Sequence, residues 1–114
     1  MEIVKAHRVE GAQSARGHVV VIDVLRAFTT AAFAFGAGAR RLLLVGTPEE
    51  AFALRERDPE LVLIGEVGAR PIPGFDYGNS PEAVDGLDLA GKTVVLRSSN
   101  GVQGVVHATQ AERI

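Results

Sequence analysis

Three carboxylates, one arginine and two hydroxyl pairs carry the chemistry that this sequence could perform. Asp23 and Arg26 follow the apolar run Val19-Val20-Val21-Ile22, Glu66 follows Leu61-Val62-Leu63-Ile64, and Asp76 and Asn79 lie in the Gly- and Pro-rich stretch beyond it. Ser98-Ser99-Asn100-Gly101 follows Thr93-Val94-Val95-Leu96, and Thr29-Thr30 comes just after Arg26. Carboxylates gathered on one edge suit a hard cation such as Mg²⁺, which takes oxygen ligands and bridges to substrate phosphate. Hydroxyls and free main-chain N–H groups at helix starts bind phosphate. An arginine in the first turn of a helix opposes the helix dipole and asks for an anionic partner. His7, His18 and His107 fall outside these groups.

Each of these residues also has a plain structural reading. Asp is a favoured N-cap, so Asp23 can end a strand and start a helix with no further role. Arg26 can be a solvated helix residue, Asp76 through Pro81 a turn and a cap at Ser80, and Ser98 through Gly101 a loop before a helix. The functional reading depends on whether the fold brings them together.

Short apolar runs alternating with helical stretches set the expected scaffold. Strands are expected at Val19–Ile22, Leu42–Val45, Leu61–Ile64 and Thr93–Leu96, each bounded by turn residues and buried on both faces. Helices are expected over Leu25–Phe35, from Thr47-Pro48-Glu49-Glu50 to Arg57, briefly at Ser80-Pro81-Glu82, and from Val102 to Ala111, with Glu2–Ala6 as a possible edge strand. Such βαβ units predict one α/β domain over residues 1–114, a mainly parallel sheet with helices on both faces. In open sheets of this kind ligands bind beyond the carboxyl ends of the strands, where all the polar residues named above would then gather. No strand is expected after the last helix, which suggests an incomplete, N-terminal part of a larger α/β fold or a sheet completed by another chain.

Composition narrows the partners. The 114 residues carry 12 basic and 14 acidic side chains spread along the chain, for a net charge of -2. That leaves no basic face for nucleic acid and no polybasic anchor for a membrane. Hydrophobic residues at 46% and charged ones at 23% are the balance of a folded globular protein. The absence of cysteine excludes thiolate chemistry and disulfides, and with no apolar leader at Met1–Lys5 the expected compartment is the cytoplasm.

Taken together, the residues resemble a known family. Val20-Val21-Ile22-Asp23-Val24-Leu25-Arg26-Ala27 with Thr29-Thr30, then Gly65-Glu66, then Gly74-Phe75-Asp76-Tyr77-Gly78-Asn79-Ser80-Pro81, then Ser98-Ser99-Asn100-Gly101 are similar, in order, to four signatures of the 2-phosphosulfolactate phosphatases. The family usually has threonines in place of Ser98-Ser99, a threonine in place of Val102 and a small or hydroxylic residue in place of Phe28. Its members are about twice as long as this chain, so the resemblance covers their N-terminal half.

The resemblance implies Mg²⁺-dependent hydrolysis of (2R)-2-phospho-3-sulfolactate to sulfolactate and phosphate, a step of coenzyme M biosynthesis. Under it, Asp23, Glu66 and Asp76 are the expected metal ligands, and Asp23, Arg26 and Glu66 the expected catalytic residues. Arg26, Thr29, Thr30, Asn79, Ser80, Ser98, Ser99, Asn100 and Gly101 are the expected substrate-binding residues. The nucleophile is then a metal-activated water or Asp23 itself. Two other readings stand beside it: a non-catalytic module that binds an anionic metabolite, and a phosphatase for another phosphorylated hydroxy acid. A homo-oligomer or a missing C-terminal half is the expected completion.

Overall fold

A computed structural model describes all 114 residues. In chain order the elements are α1 (Arg8–Ser14), β1 (Gly17–His18), α2 (Ala27–Gly36), β2 (Arg41–Leu44), α3 (Pro48–Arg57), β3 (Val62–Val67), β4 (Arg70–Pro71), α4 (Pro81–Val84), β5 (Thr93–Arg97), α5 (Gly101–His107) and β6 (Ala111–Arg113). None of the helices is long and apolar enough to cross a membrane.

The main sheet has the order β2-β5-β3-β4. β5 lies between β2 and β3 and pairs with both in parallel, Leu42 opposite Val94 on one side and Ile64 opposite Leu96 on the other. β4 adds an antiparallel edge through Glu66↔Pro71 and Val67↔Arg70. Alternation along the strands sends side chains to opposite faces. Ile64, Val94 and Leu96 pack with Ala27, Ala31 and Ala34 of α2, Val84 of α4 and Val102 of α5. Leu63 and Val95 face the other way, onto Ala51 of α3 with Val45 and Leu61. These five strand side chains are at most 1% exposed, and burial of each contributes about 1.5–3 kcal/mol. The parallel sheet with helices on both faces is as the sequence implied.

Local signals set the helix starts. Thr47 caps α3, its hydroxyl accepting from the Glu50 N–H at 3.3 Å, while the Glu50 carboxylate accepts from the Gly46 N–H at 2.9 Å. This reciprocal arrangement resembles a capping box shifted back by one residue. Pro48 occupies the first turn, where a missing N–H costs nothing.

Three expectations are corrected. Glu2–Ala6 forms no strand, and the helix α1 follows it instead. The last helix ends at His107, and Ala111–Arg113 continue as β6, parallel to β1 in a separate two-stranded sheet. Most consequentially, Val19–Ile22 is not a strand of the main sheet. After β1 the chain stays extended but unpaired, with Val20 83% and Ile22 80% exposed. The run has the composition of a strand buried on two faces, but this chain covers only one.

Candidate active site

That one covered face is the starting point of the site. Along residues 17–24 half-buried and exposed positions alternate, so Val19, Val21 and Asp23 point inward. They point at α5, where two glycines make room. A Cβ on Gly104 would stand 2.8 Å from Val21 Cγ1, and one on Gly101 would stand 2.7 Å from Asp23 Cβ. Both are closer than real side chains come, so the extended segment lies in a groove that only glycine leaves open. Asp23 is thereby set against the first residue of α5, and its carboxylate accepts no hydrogen bond from the protein; the N–H groups of Asn100 and Gly101 likewise have no acceptor within it.

On the other side of the same turn stands Glu66, near the carboxyl end of β3 and only 7% exposed. Its Oε1 accepts from the Ser99 N–H at 2.6 Å, and its Oε2 from the Ala69 N–H at 2.7 Å and the Ser99 hydroxyl at 3.0 Å. Burial on its own would push this carboxyl up. The N–H groups of Ser99 and Ala69, the Ser99 hydroxyl and the nearby Arg97 guanidinium outweigh burial and hold it below its ordinary value.

Arg97, which sequence reasoning missed, ties three strand ends together. From β5 it donates to the Glu66 carbonyl at 2.7 Å, to the Gly46 carbonyl after β2 at 3.2 Å, and to Ser99 Oγ at 3.1 Å. Its signal in the sequence is its place as the last residue of a central strand directly before Ser98-Ser99. Ser98 is buried and caps α5, accepting from the Val102 N–H at 3.1 Å. Gln103 also fastens the turn, donating to the carbonyls of Ser98 and Gly46 at 2.9 Å each.

Around α2, Arg26 is the exposed N-cap residue, its carbonyl accepting from both the N–H and the hydroxyl of Thr30, at 2.9 and 3.0 Å. Thr30 is buried and Thr29 exposed. Asn79 is buried at 5% exposure with its side-chain oxygen unpaired, and Ser80 starts α4 without a side-chain cap bond.

Asp76 is placed elsewhere. The chain reverses at Gly68-Ala69, runs back as β4, and reaches the start of β3, where Asp76 accepts from the Leu63 N–H at 2.7 Å and pairs with Arg55. Leu63 is three residues before Glu66, about 10 Å away along a strand. Asp76 thus fastens the opposite end of the sheet, and no group of three or more His, Cys, Asp or Glu side chains stands close enough to hold a metal ion. The donor set fits a site with one free carboxylate, Asp23. It does not fit a cage of Asp23, Glu66 and Asp76, because Asp76 stands at the opposite end of the sheet paired with Arg55 and the Glu66 carboxylate already accepts from two N–H groups and a hydroxyl.

The fold is an open, mainly parallel α/β domain in which Asp23, Glu66, Arg97 and the Ser98–Gly101 turn meet at the carboxyl ends of the central strands, the edge at which open α/β sheets bind their ligands. The chain belongs to the 2-phosphosulpholactate phosphatase family, whose model matches residues 3–114. It is similar to proteins named probable 2-phosphosulfolactate phosphatase from Deinococcus radiodurans (49% identical over 94 residues) and Bacillus subtilis (43% over 95). The alignments cover 82% and 83% of this chain but 39% and 42% of those proteins, so it spans about two-fifths of their length.

Proposed function

We propose that this chain is the part of a phosphoric monoester hydrolase that carries its anion-binding turn, and that the whole enzyme hydrolyses (2R)-2-phospho-3-sulfolactate to sulfolactate and phosphate. The observation behind the proposal is the turn Ser98–Gly101, held by Glu66 and Arg97 through Ser99 and packed at Gly101 against the free Asp23 carboxylate. Phosphoryl transfer needs positioned donors and charge neutralisation more than covalent chemistry. Within the turn the roles divide. Ser98 and Ser99 are committed to the cap and to Glu66, while the N–H groups of Asn100 and Gly101 point to no acceptor and are left for phosphate oxygens.

Arg26 supplies the cationic fork for a phosphate or sulfonate, its main chain fixed by Thr30 and its side chain unbonded. Mg²⁺, which commonly takes one or two carboxylates and completes its shell with water and substrate phosphate, would be held by Asp23 and would neutralise phosphate charge. Glu66 then orients Ser99 and the turn and does not ligate. The compartment is the cytoplasm and the pathway that of coenzyme M.

The test uses a family-length protein, this chain joined to the part of the Deinococcus radiodurans relative that the alignment does not cover. Assayed on a panel of phosphate monoesters with and without Mg²⁺, it should release phosphate from phosphosulfolactate in preference to phosphorylated hydroxy acids lacking the sulfonate. Asp23→Asn should abolish the Mg²⁺-dependent rate and leave the fold intact. Ligand binding with no turnover of any ester would instead establish an anion-binding module.

A further inference from the structure

We infer that Val20–Val24 is an open β-strand, completed by pairing with a strand from the part of the family fold that this chain does not span. The inference rests on the family assignment and is independent of the activity. Six consecutive residues, 20 to 25, form no main-chain hydrogen bond to other main-chain groups, although the segment continues directly from β1 and keeps the alternating burial of a strand through Val24, before the chain bends at Leu25. The ladder stops at Val19, whose N–H donates to the Arg113 carbonyl at 2.8 Å. Unpaired main-chain groups along an extended apolar segment are a template for another strand.

The side chains agree with the backbone. Val19, Val21 and Asp23 face α5, while Val20, Ile22 and Val24 are 78–83% exposed. A strand with one face packed and the other bare and β-branched is suited to a sheet that is covered on both sides. Beside it an apolar groove of about 310 Å³ is lined by Val19, Val20, Val21, Phe28, Val105 and Ile114, with no charged side chain among them. This exposed apolar surface adjoins the residue that the site depends on, Asp23.

Relative length identifies the occupant. The family match includes this segment, and relatives of which this chain spans 39% and 42% have more than half of their length still to place. A second copy fits less well. A two-fold pairing centred on the segment with both inner faces on the same side sets Asp23 opposite itself or opposite Val21, so the two carboxylates come within about 8 Å.

The test is amide hydrogen exchange at residues 20–25 in this chain and in the family-length protein described above. Exchange should slow at least ~10-fold in the family-length monomer, and Ile22→Pro, which removes a ladder N–H at an exposed position, should return the neighbouring amides to the fast rate. The part of the Bacillus subtilis relative that the alignment does not cover, co-produced with this chain as a separate polypeptide, should give a 1:1 complex with the same protection. Unchanged exchange at residues 20–25 in both would overturn the inference. So would protection that grows with the concentration of this chain alone, since that would make a second copy the occupant. Phosphate release plays no part in either readout, so the activity can fail while the strand pairing stands.

Discussion

Glu66 grips Ser99 twice, through the main-chain N–H at 2.6 Å and the hydroxyl at 3.0 Å, and so joins the end of β3 to the turn after β5. Since these donors and Arg97 hold the Glu66 carboxyl below its ordinary value, its ionised form binds the fold better than its neutral form. The stabilisation is complete above the unfolded carboxyl pKa of about 4.5 and is lost as pH falls through the lower folded value. Glu66→Gln should destabilise by about 1–3 kcal/mol at neutral pH, because its amide nitrogen faces donors and leaves buried groups unpaired. Urea unfolding from pH 3 to 7 checks both points: the variant should show a shallower acid-side loss of stability than the parent. A Glu66→Gln protein as stable as the parent would remove Glu66 from this role.

Gly101 is fixed by Asp23 rather than by its own backbone. Gly101→Ala should push the Asp23 segment off α5 and cost about 1–3 kcal/mol as overpacking. In the family-length protein it should lower turnover more than it lowers stability would suggest, since the displaced group is the free carboxylate. Gly104→Ala, which meets Val21 in the same groove, should cost similar stability with less effect on turnover. Thermal melts and initial rates on the two variants separate the effects; equal losses of rate would contradict the special position of Asp23.

Asp76 belongs to stability. Its bonds run to the Leu63 N–H and to Arg55, which also donates to the Leu61 carbonyl at 2.8 Å. Asp76→Asn should therefore lower stability by roughly 1–3 kcal/mol, the usual loss for a charge-assisted bond. The Mg²⁺ concentration for half-maximal rate in the family-length protein should not move. A shift of tenfold or more would return Asp76 to the metal.

The same residue shows where sequence reasoning ran out. Leu61–Ile64 and Thr93–Leu96 are legible as buried parallel strands because each is a short apolar run bounded by turn residues whose covering helices lie within this chain. Thr47-Pro48-Glu49-Glu50 is legible as a helix start because each residue satisfies a known end group. Asp76 is not, because its position depends on the reversal at Gly68-Ala69, where positive φ values of 55° and 63° turn the chain back along β3. A plain loop after the third strand would put Asp76 on the same edge as Glu66; the hairpin puts it on the other. Val19–Ile22 failed differently. Its composition states that both faces want cover, and nothing local states which polypeptide provides it. Arg97 was passed over because its role lies in three carbonyl and hydroxyl partners from separate loops, none of them near in sequence except Ser99.

Arg26 gives the sharpest separation of binding from folding. Its main chain is held by Thr30, whose N–H and hydroxyl both bond the Arg26 carbonyl, while the side chain is exposed and makes no cap bond. Replacement by Lys keeps the charge and disturbs no packed group, so stability should stay within about 0.5 kcal/mol. What changes is geometry: an ammonium offers a point charge where a guanidinium offers two parallel donors to an oxyanion. Losing one charge-assisted bond to the substrate, worth roughly 1.5–3 kcal/mol, lowers kcat/KM by about ten- to a hundredfold. Under the proposed function KM should rise and kcat fall together, because a bond from Arg26 to the phosphate or sulfonate would form in the ground state and tighten as charge is redistributed. Steady-state kinetics of Arg26→Lys in the family-length protein, set beside a urea titration of the same variant, provide the check. Unchanged kcat/KM in a stable protein would mean that Arg26 does not touch the substrate.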